Sequence, residues 1–312
     1  MFESSKIERS HSVPAPFQER FVQDGIQEAQ SLIRSRFELA PPEKEDNLDF
    51  HNIQHTEDVI RRTESILRAI QRVTVHVVSE KDIALGRLAA AFHDVVQEWK
   101  EQEVQGKTLR QRFIGKNEEA SADEAIAFLD REASGQADQG LSEEDFEIVA
   151  EAIRGTVPGF SMEKKTVIQP NITEQSSLVA RALALADIGT AGMDGAENFL
   201  REGDALFREE NLDIMRALRN QEELSNEVKE GYRNRMIAWS KFQPIFAKGR
   251  QELLDEELRG LPLGADVAIK KLFNTFDESI SASAQRGEER ESMSFDELTI
   301  DMGFFDKKPM NH

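Results

Sequence analysis

The chain has 312 residues, enough for one large or two small domains around a substantial core. Its 59 acidic against 39 basic residues leave a net charge of −20, which argues against a partner bound through broad attraction to a phosphate backbone, so no nucleic acid is expected. The lack of cysteine excludes disulfide frameworks and thiolate metal sites; with no basic-then-apolar start and no apolar run of about 18 residues, a cytoplasmic protein without a membrane partner is expected.

Residues 1 to 16 are polar, carry Pro14 and Pro16, and read as a flexible N-terminal tail ahead of a helical domain over residues 17 to 279. The first helix offers Phe21, Ile26, Ala29, Leu32 and Ile33 as its inner face and stops at Pro41-Pro42. A second helix is predicted over residues 54 to 71, where Val59, Thr63, Ile66 and Ile70 continue a stripe that begins at His55. His51 and His55 are four apart, so within one helical turn they would share a face. The stretch from Val73 to Val78, which contains His76, is the one strand-like run. Residues 83 to 96 are apolar almost all round and rich in small side chains, the pattern of a buried helix, and contain the pair His93-Asp94.

Residues 97 to 117 read as a polar loop whose Lys107, Arg110, Arg112 and Lys116 are candidate phosphate contacts. Asn117 is expected to cap the next helix, with Glu118 and Glu119 in its first turn and Ala122, Ala125, Ile126 and Leu129 on its buried face. Ser142 starts another helix that runs through Ile153 and ends at Arg154-Gly155-Thr156. The segment from Leu178 is again apolar throughout and leads to Asp187. Residues 196 to 279 form an extra helical layer with Phe199, Phe207, Trp239 and Phe246 as core, and residues 280 to 312 read as an acidic linker and tail, its Phe295 to Phe305 stretch docking weakly.

His51, His55, His93, Asp94 and Asp187 supply imidazole nitrogens and carboxylate oxygens from three segments. An unpaired carboxylate in an apolar helix costs several kcal/mol or more; a shared first-row divalent cation removes that cost and can activate water. This order, His, then His-Asp, then Asp on separate helices, resembles the HD superfamily of metal-dependent phosphohydrolases over roughly residues 47 to 195. Asn117-Glu118-Glu119-Ala120-Ser121-Ala122 is further similar to the Asn-Glu-x-x-Ser-Ala segment of the predicted HD phosphohydrolases.

The resemblance implies an all-α HD-domain helical bundle with additional C-terminal helices. It implies a single divalent ion (Mn, Fe, Co, Ni, Zn or Mg) on His55, His93, Asp94 and Asp187, with a second, weak site using Glu118 or Glu119 as the alternative. The expected reaction is hydrolysis of a phosphate ester, a small phosphorylated metabolite or nucleotide, by a metal-activated water. Asp94 would orient that water and His51 would protonate the leaving oxygen, as the first His of the segment does in cyclic-nucleotide phosphodiesterases. Glu118, Glu119, Arg154 and Thr156 are the implied substrate contacts. The further substrate-reading segments of those phosphodiesterases are missing, so a cyclic nucleotide is not implied. Two other readings remain open: an iron oxygenase on the same ligands, which usually needs more histidines, and a non-catalytic module that binds a nucleotide or a partner protein.

Overall fold

The structure is a computed structural model that describes residues 19–39, 47–74, 76–135 and 141–305. The expected tail over residues 1 to 16, Pro41-Pro42 and the link at residues 136 to 140 lie outside the described residues. Helix α1 (Glu19–Ile33) runs on into a π-turn (Arg34–Glu38), followed by α2 (Ile53–Val73) and α3 (Glu80–Phe92). A hairpin of β1 (Trp99–Val104) and β2 (Lys107–Arg112) precedes α4 (Lys116–Gly135) and α5 (Glu143–Gly155), and a smaller hairpin of β3 (Gly159–Ser161) and β4 (Thr166–Ile168) precedes α6 (Leu178–Asp187). The second half is α7 (Thr190–Met193), α8 (Gly195–Glu210), α9 (Leu212–Arg219), α10 (Asn226–Glu257), α11 (Ala265–Lys270), α12 (Phe276–Glu291) and α13 (Phe295–Asp301). The fold is all-α, and no described helix is long and apolar enough to cross a membrane.

Helices α2, α3, α5 and α6 pack on one another, with α1 and α4 alongside α3. Helix α3 lies at the centre because its small side chains permit close approach: a Cβ at Gly86 would stand 2.5 Å from Leu67 Cδ1 on α2. The stripe predicted from His55 is the buried face of α2, with Val59, Thr63, Ile66 and Ile70 all inside. Burying a Val or Ile side chain contributes about 1.5–3 kcal/mol, so this stripe alone anchors the helix that carries His55. Helices α8, α10, α12 and α13 form the extra layer, whose own apolar cluster contains Phe207, Ile214, Met236, Phe295, Leu298 and Met302.

Four expectations need correction. Residues 97 to 117 are no loop: β1 and β2 pair antiparallel from Trp99 opposite Arg112 to Val104 opposite Lys107. The run from Val73 to Val78 forms no strand among the described residues: Val73 ends α2, Thr74 is its C-cap, and His76 lies in a turn at φ +65°. Residues 280 to 293 are not a solvated linker; they belong largely to α12, whose Ser279, Ser283, Gly287 and Arg290 are buried. The last described stretch is no loose tail, since α13 buries Phe295 and Leu298 and begins with a capping box between Ser294 and Glu297.

Candidate metal centre

Two helix ends and one helix start deliver the ligands. Asn52 is in extended conformation and its Oδ1 accepts the His55 amide at 3.0 Å, so α2 starts at Ile53 and His55 stands in its first turn. His51 therefore precedes the helix and does not share a helical face with His55, contrary to the spacing argument; their ring centroids are 6.1 Å apart. Helix α3 ends at Phe92, His93 caps it, and Asp94 follows in the turn; Asp187 is the last residue of α6. Both helices thus present their C-terminal ends, the negative ends of their dipoles, to one point, which favours a cation there.

One ligand atom from each of His55, His93, Asp94 and Asp187 lies within 4.8 Å of the others. His55 Nε2 is 3.5 Å from Asp94 Oδ2 and 3.5 Å from Asp187 Oδ1; His93 Nε2 is 3.1 Å and 3.5 Å from the same two oxygens. Neighbouring donors around an ion at about 2.1 Å are themselves about 3.0–3.4 Å apart, so these edges match the shell of a first-row divalent ion. His55 Nε2 and His93 Nε2 are buried without a hydrogen-bond partner, the condition of nitrogens that face a cation. Nδ1 of His93 donates to the Ala90 carbonyl at 2.7 Å, which fixes the tautomer and turns the Nε2 lone pair inward.

Each carboxylate commits its other oxygen to a glutamine amide: Gln97 donates to Asp94 Oδ1 at 2.7 Å and Gln169 to Asp187 Oδ2 at 3.1 Å. Arg62, fully buried on α2, donates to the Ala186 carbonyl at 3.0 Å, to Asp194 at 2.7 Å and to Glu202 at 3.2 Å, and so pins the end of α6 beside Asp187. Burial opposes the charged ring of His55, but Asp187 and Asp94 outweigh it and raise its pKa to about 8. The same carboxylates raise His93 against its burial, while His93 and His51 hold Asp94, and His55 and His93 hold Asp187, below the usual carboxylate range. The group can hold a divalent ion, and a two-histidine, two-carboxylate shell leaves positions open for water or substrate.

His51 sits against this shell but is held from elsewhere. Its Nδ1 donates to Glu209 Oε1 at 2.5 Å, and Glu209 Oε2 accepts the backbone amides of Phe50 and His51 at 2.9 and 3.1 Å. Arg112 Nη1 donates to His51 Nε2 at 2.8 Å. Burial opposes the Glu209 charge, yet His51, the Phe50 amide and Arg112 together hold its pKa at about 2. Burial and the adjacent Glu209 charge push Glu210 up to about 7.

The other candidates divide. Glu118 is buried, accepts the Gly115 amide at 2.5 Å, and lies 4.0 Å from Arg112, at the margin of the site. Glu119 and Arg154 form a bidentate pair at 2.6 and 2.7 Å with both side chains about half exposed, and the Thr156 hydroxyl donates to the Ile153 carbonyl, so the polar bonds of these three are spent away from the cluster. Among the described residues no second group of ligand side chains converges, and Glu118 and Glu119 do not form an ion site. Asn117 does not cap α4; its amide clasps Glu98 in both directions, at 3.1 and 2.9 Å. Of the basic residues at 107 to 116, Arg112 reaches the site, while Arg110 stacks on Trp99 at 4.1 Å and donates to the Glu209 carbonyl, and Lys116 lies over Phe113.

Glu209, Gln97, Gln169 and Arg62 went unnoticed in the sequence, because each reads as a solvated polar residue until tertiary packing buries it. The one signal was Arg62, a cation beside the apolar face of α2. A groove of about 510 Å³ lined by Gln30, Glu57, Arg61, Glu64, Arg68 and Arg87 shares no residue with the cluster. No family model, no curated protein and no solved structure matches the chain.

Proposed function

We propose that the chain is a metal-dependent phosphohydrolase of the HD type. The observation that supports this reading is the convergence of two partnerless imidazole nitrogens and two carboxylate oxygens at the ends of buried helices, with His51 and Arg112 immediately beside them. A bound divalent ion would polarise a phosphoryl oxygen and acidify a water. The chain's own groups supply the rest. Asp94, fixed by Gln97, would orient the attacking water; His51, fixed by Glu209, would serve the leaving oxygen; Phe50, partly exposed, lies against the His55 ring at 4.4 Å and walls one side of the site.

The test is metal analysis of the purified protein and a screen of phosphomonoesters, phosphodiesters and nucleotides with Mn, Fe, Co, Ni, Zn and Mg. One tightly held ion and turnover of a phosphate ester are expected, with His93→Ala losing both. His51→Ala should keep the ion and lose on the order of 100-fold on a poor leaving group but less on nitrophenyl esters, which need little protonation. Full ion occupancy in His93→Ala, or no turnover of any ester by the loaded wild type, would overturn the reading.

A further inference from the structure

Arg112, the last residue of β2, is held at one corner only. Its Nη1 donates to His51 Nε2, whereas Nη2 has distant acidic neighbours, Asp94 Oδ1 at 3.8 Å and Glu118 Oε1 at 4.0 Å, and Nε is buried without a hydrogen-bond partner. A guanidinium carries five donors in a rigid fork that matches two oxygens of one phosphate, so this mostly covered fork, its side chain 17% exposed, has a single short bond and lacks an acceptor that fits it. His51 has the complementary defect. Its Nδ1 is committed to Glu209 and its Nε2 lone pair is covered by Arg112, so a leaving oxygen can meet Nε2 only after the guanidinium has moved.

We propose that Arg112 is the phosphoryl-binding residue of the site, and that on binding it passes from His51 Nε2 to two phosphoryl oxygens, which uncovers His51 for the leaving group. This rests on the hydrolase reading and sharpens its substrate class. A fork that takes two non-bridging oxygens while the ion site takes another requires three, which a phosphomonoester has and a diester lacks. The hairpin supplies the reach: Trp99 pairs with Arg112 across the ladder, and the Asn117–Glu98 clasp fixes the strand end from which Arg112 projects.

The experiment uses the full chain loaded with its ion, with inorganic phosphate as the probe. Phosphate affinity is measured by calorimetry for wild type, Arg112→Gln and Arg112→Lys, beside ion content and melting temperature, and the His51 Nε2 resonance is followed in protein labelled with ¹⁵N-histidine. Arg112→Gln should bind phosphate about 10- to 100-fold more weakly with its ion retained, Arg112→Lys should recover part of the loss, and phosphate should shift the His51 resonance in wild type but not in Arg112→Gln. KM for a monoester should rise by the same factor. If wild type hydrolyses monoesters while both variants keep its phosphate affinity and KM, the role of Arg112 falls and the hydrolase reading stands. If loaded wild type neither binds phosphate nor hydrolyses any ester, both fall.

Discussion

At the scale of single residues, Glu209 carries the clearest consequence. Its folded-state pKa of about 2 lies below the ordinary 4.5, so its contribution to stability is present above pH 4.5 and is lost as pH falls through about 2. A shift of this size corresponds to on the order of 3 kcal/mol. Glu209→Gln should therefore flatten the fall in unfolding free energy between pH 4.5 and pH 2, and should lower stability at pH 7 by an amount that urea denaturation at the two pH values will read. Parallel curves for the variant and the wild type would show that the depressed pKa is not what Glu209 contributes. The four residues that could hold an ion were legible in the sequence because a buried imidazole or carboxylate beside apolar helical segments demands a partner. Glu209 was not, since it sits within the run Arg208-Glu209-Glu210 at the end of an amphipathic helix and only the His51 turn folding over it takes it out of water.

Among the elements, the β1–β2 hairpin was the main one missed. Its first strand is Trp99-Lys100-Glu101-Gln102-Glu103-Val104, exposed beyond Trp99, so it has no apolar alternation for a period-2 pattern to reveal. The readable signal was the turn. Gln105 and Gly106 both have positive φ, +53° and +74°, as the two-residue turns that match the twist of a hairpin require. A Cβ at Gly106 would meet nothing within 4 Å, so Gly106→Ala tests conformation alone. It should cost about 1 kcal/mol or slightly more, seen as faster amide exchange across the hairpin while exchange in α3 stays as in wild type. Unchanged exchange would mean that the strands are held by the Trp99–Arg110 and Asn117–Glu98 contacts rather than by the turn.

On the scale of the whole molecule, the C-terminal segments are structural. Arg290 on α12 is buried and bonds Asp204 of α8 at 2.7 and 2.5 Å, Asp301 of α13 at 2.8 Å and Ser240 of α10 at 3.0 Å. Arg290→Met leaves Asp204 without a cation, while Asp301 keeps Arg286 at 3.0 Å, and should lower the unfolding free energy by about 3 kcal/mol in urea; a loss below about 1 kcal/mol would show that solvent reaches Asp204. Removal of the chain after Ile280 deletes most of α12 and all of α13 and should yield unfolded or aggregated protein rather than a trimmed, folded chain. The sequence misled here for a physical reason. Helix α12 packs on α7, α8 and α10, and Ser279, Ser283, Gly287 and Arg290 are buried on it, so much of its inner face is made of small and polar residues that offer no clear hydrophobic stripe. Conversely α2 and α6 were legible almost to their ends, whereas α3 stops at Phe92, short of the expected residue 96, so that His93 and Asp94 stand beyond it.

The start of α2 falls between His51 and His55, and this boundary separates what each histidine depends on. His55 is placed by the register of a buried helix; His51 is placed by Glu209 and Arg112, on elements far away in the chain. Inheritance can therefore act on them independently. A lineage that changes α8 or the hairpin can alter the surroundings of His51 while the group of His55, His93, Asp94 and Asp187 keeps its geometry, without rebuilding the interior.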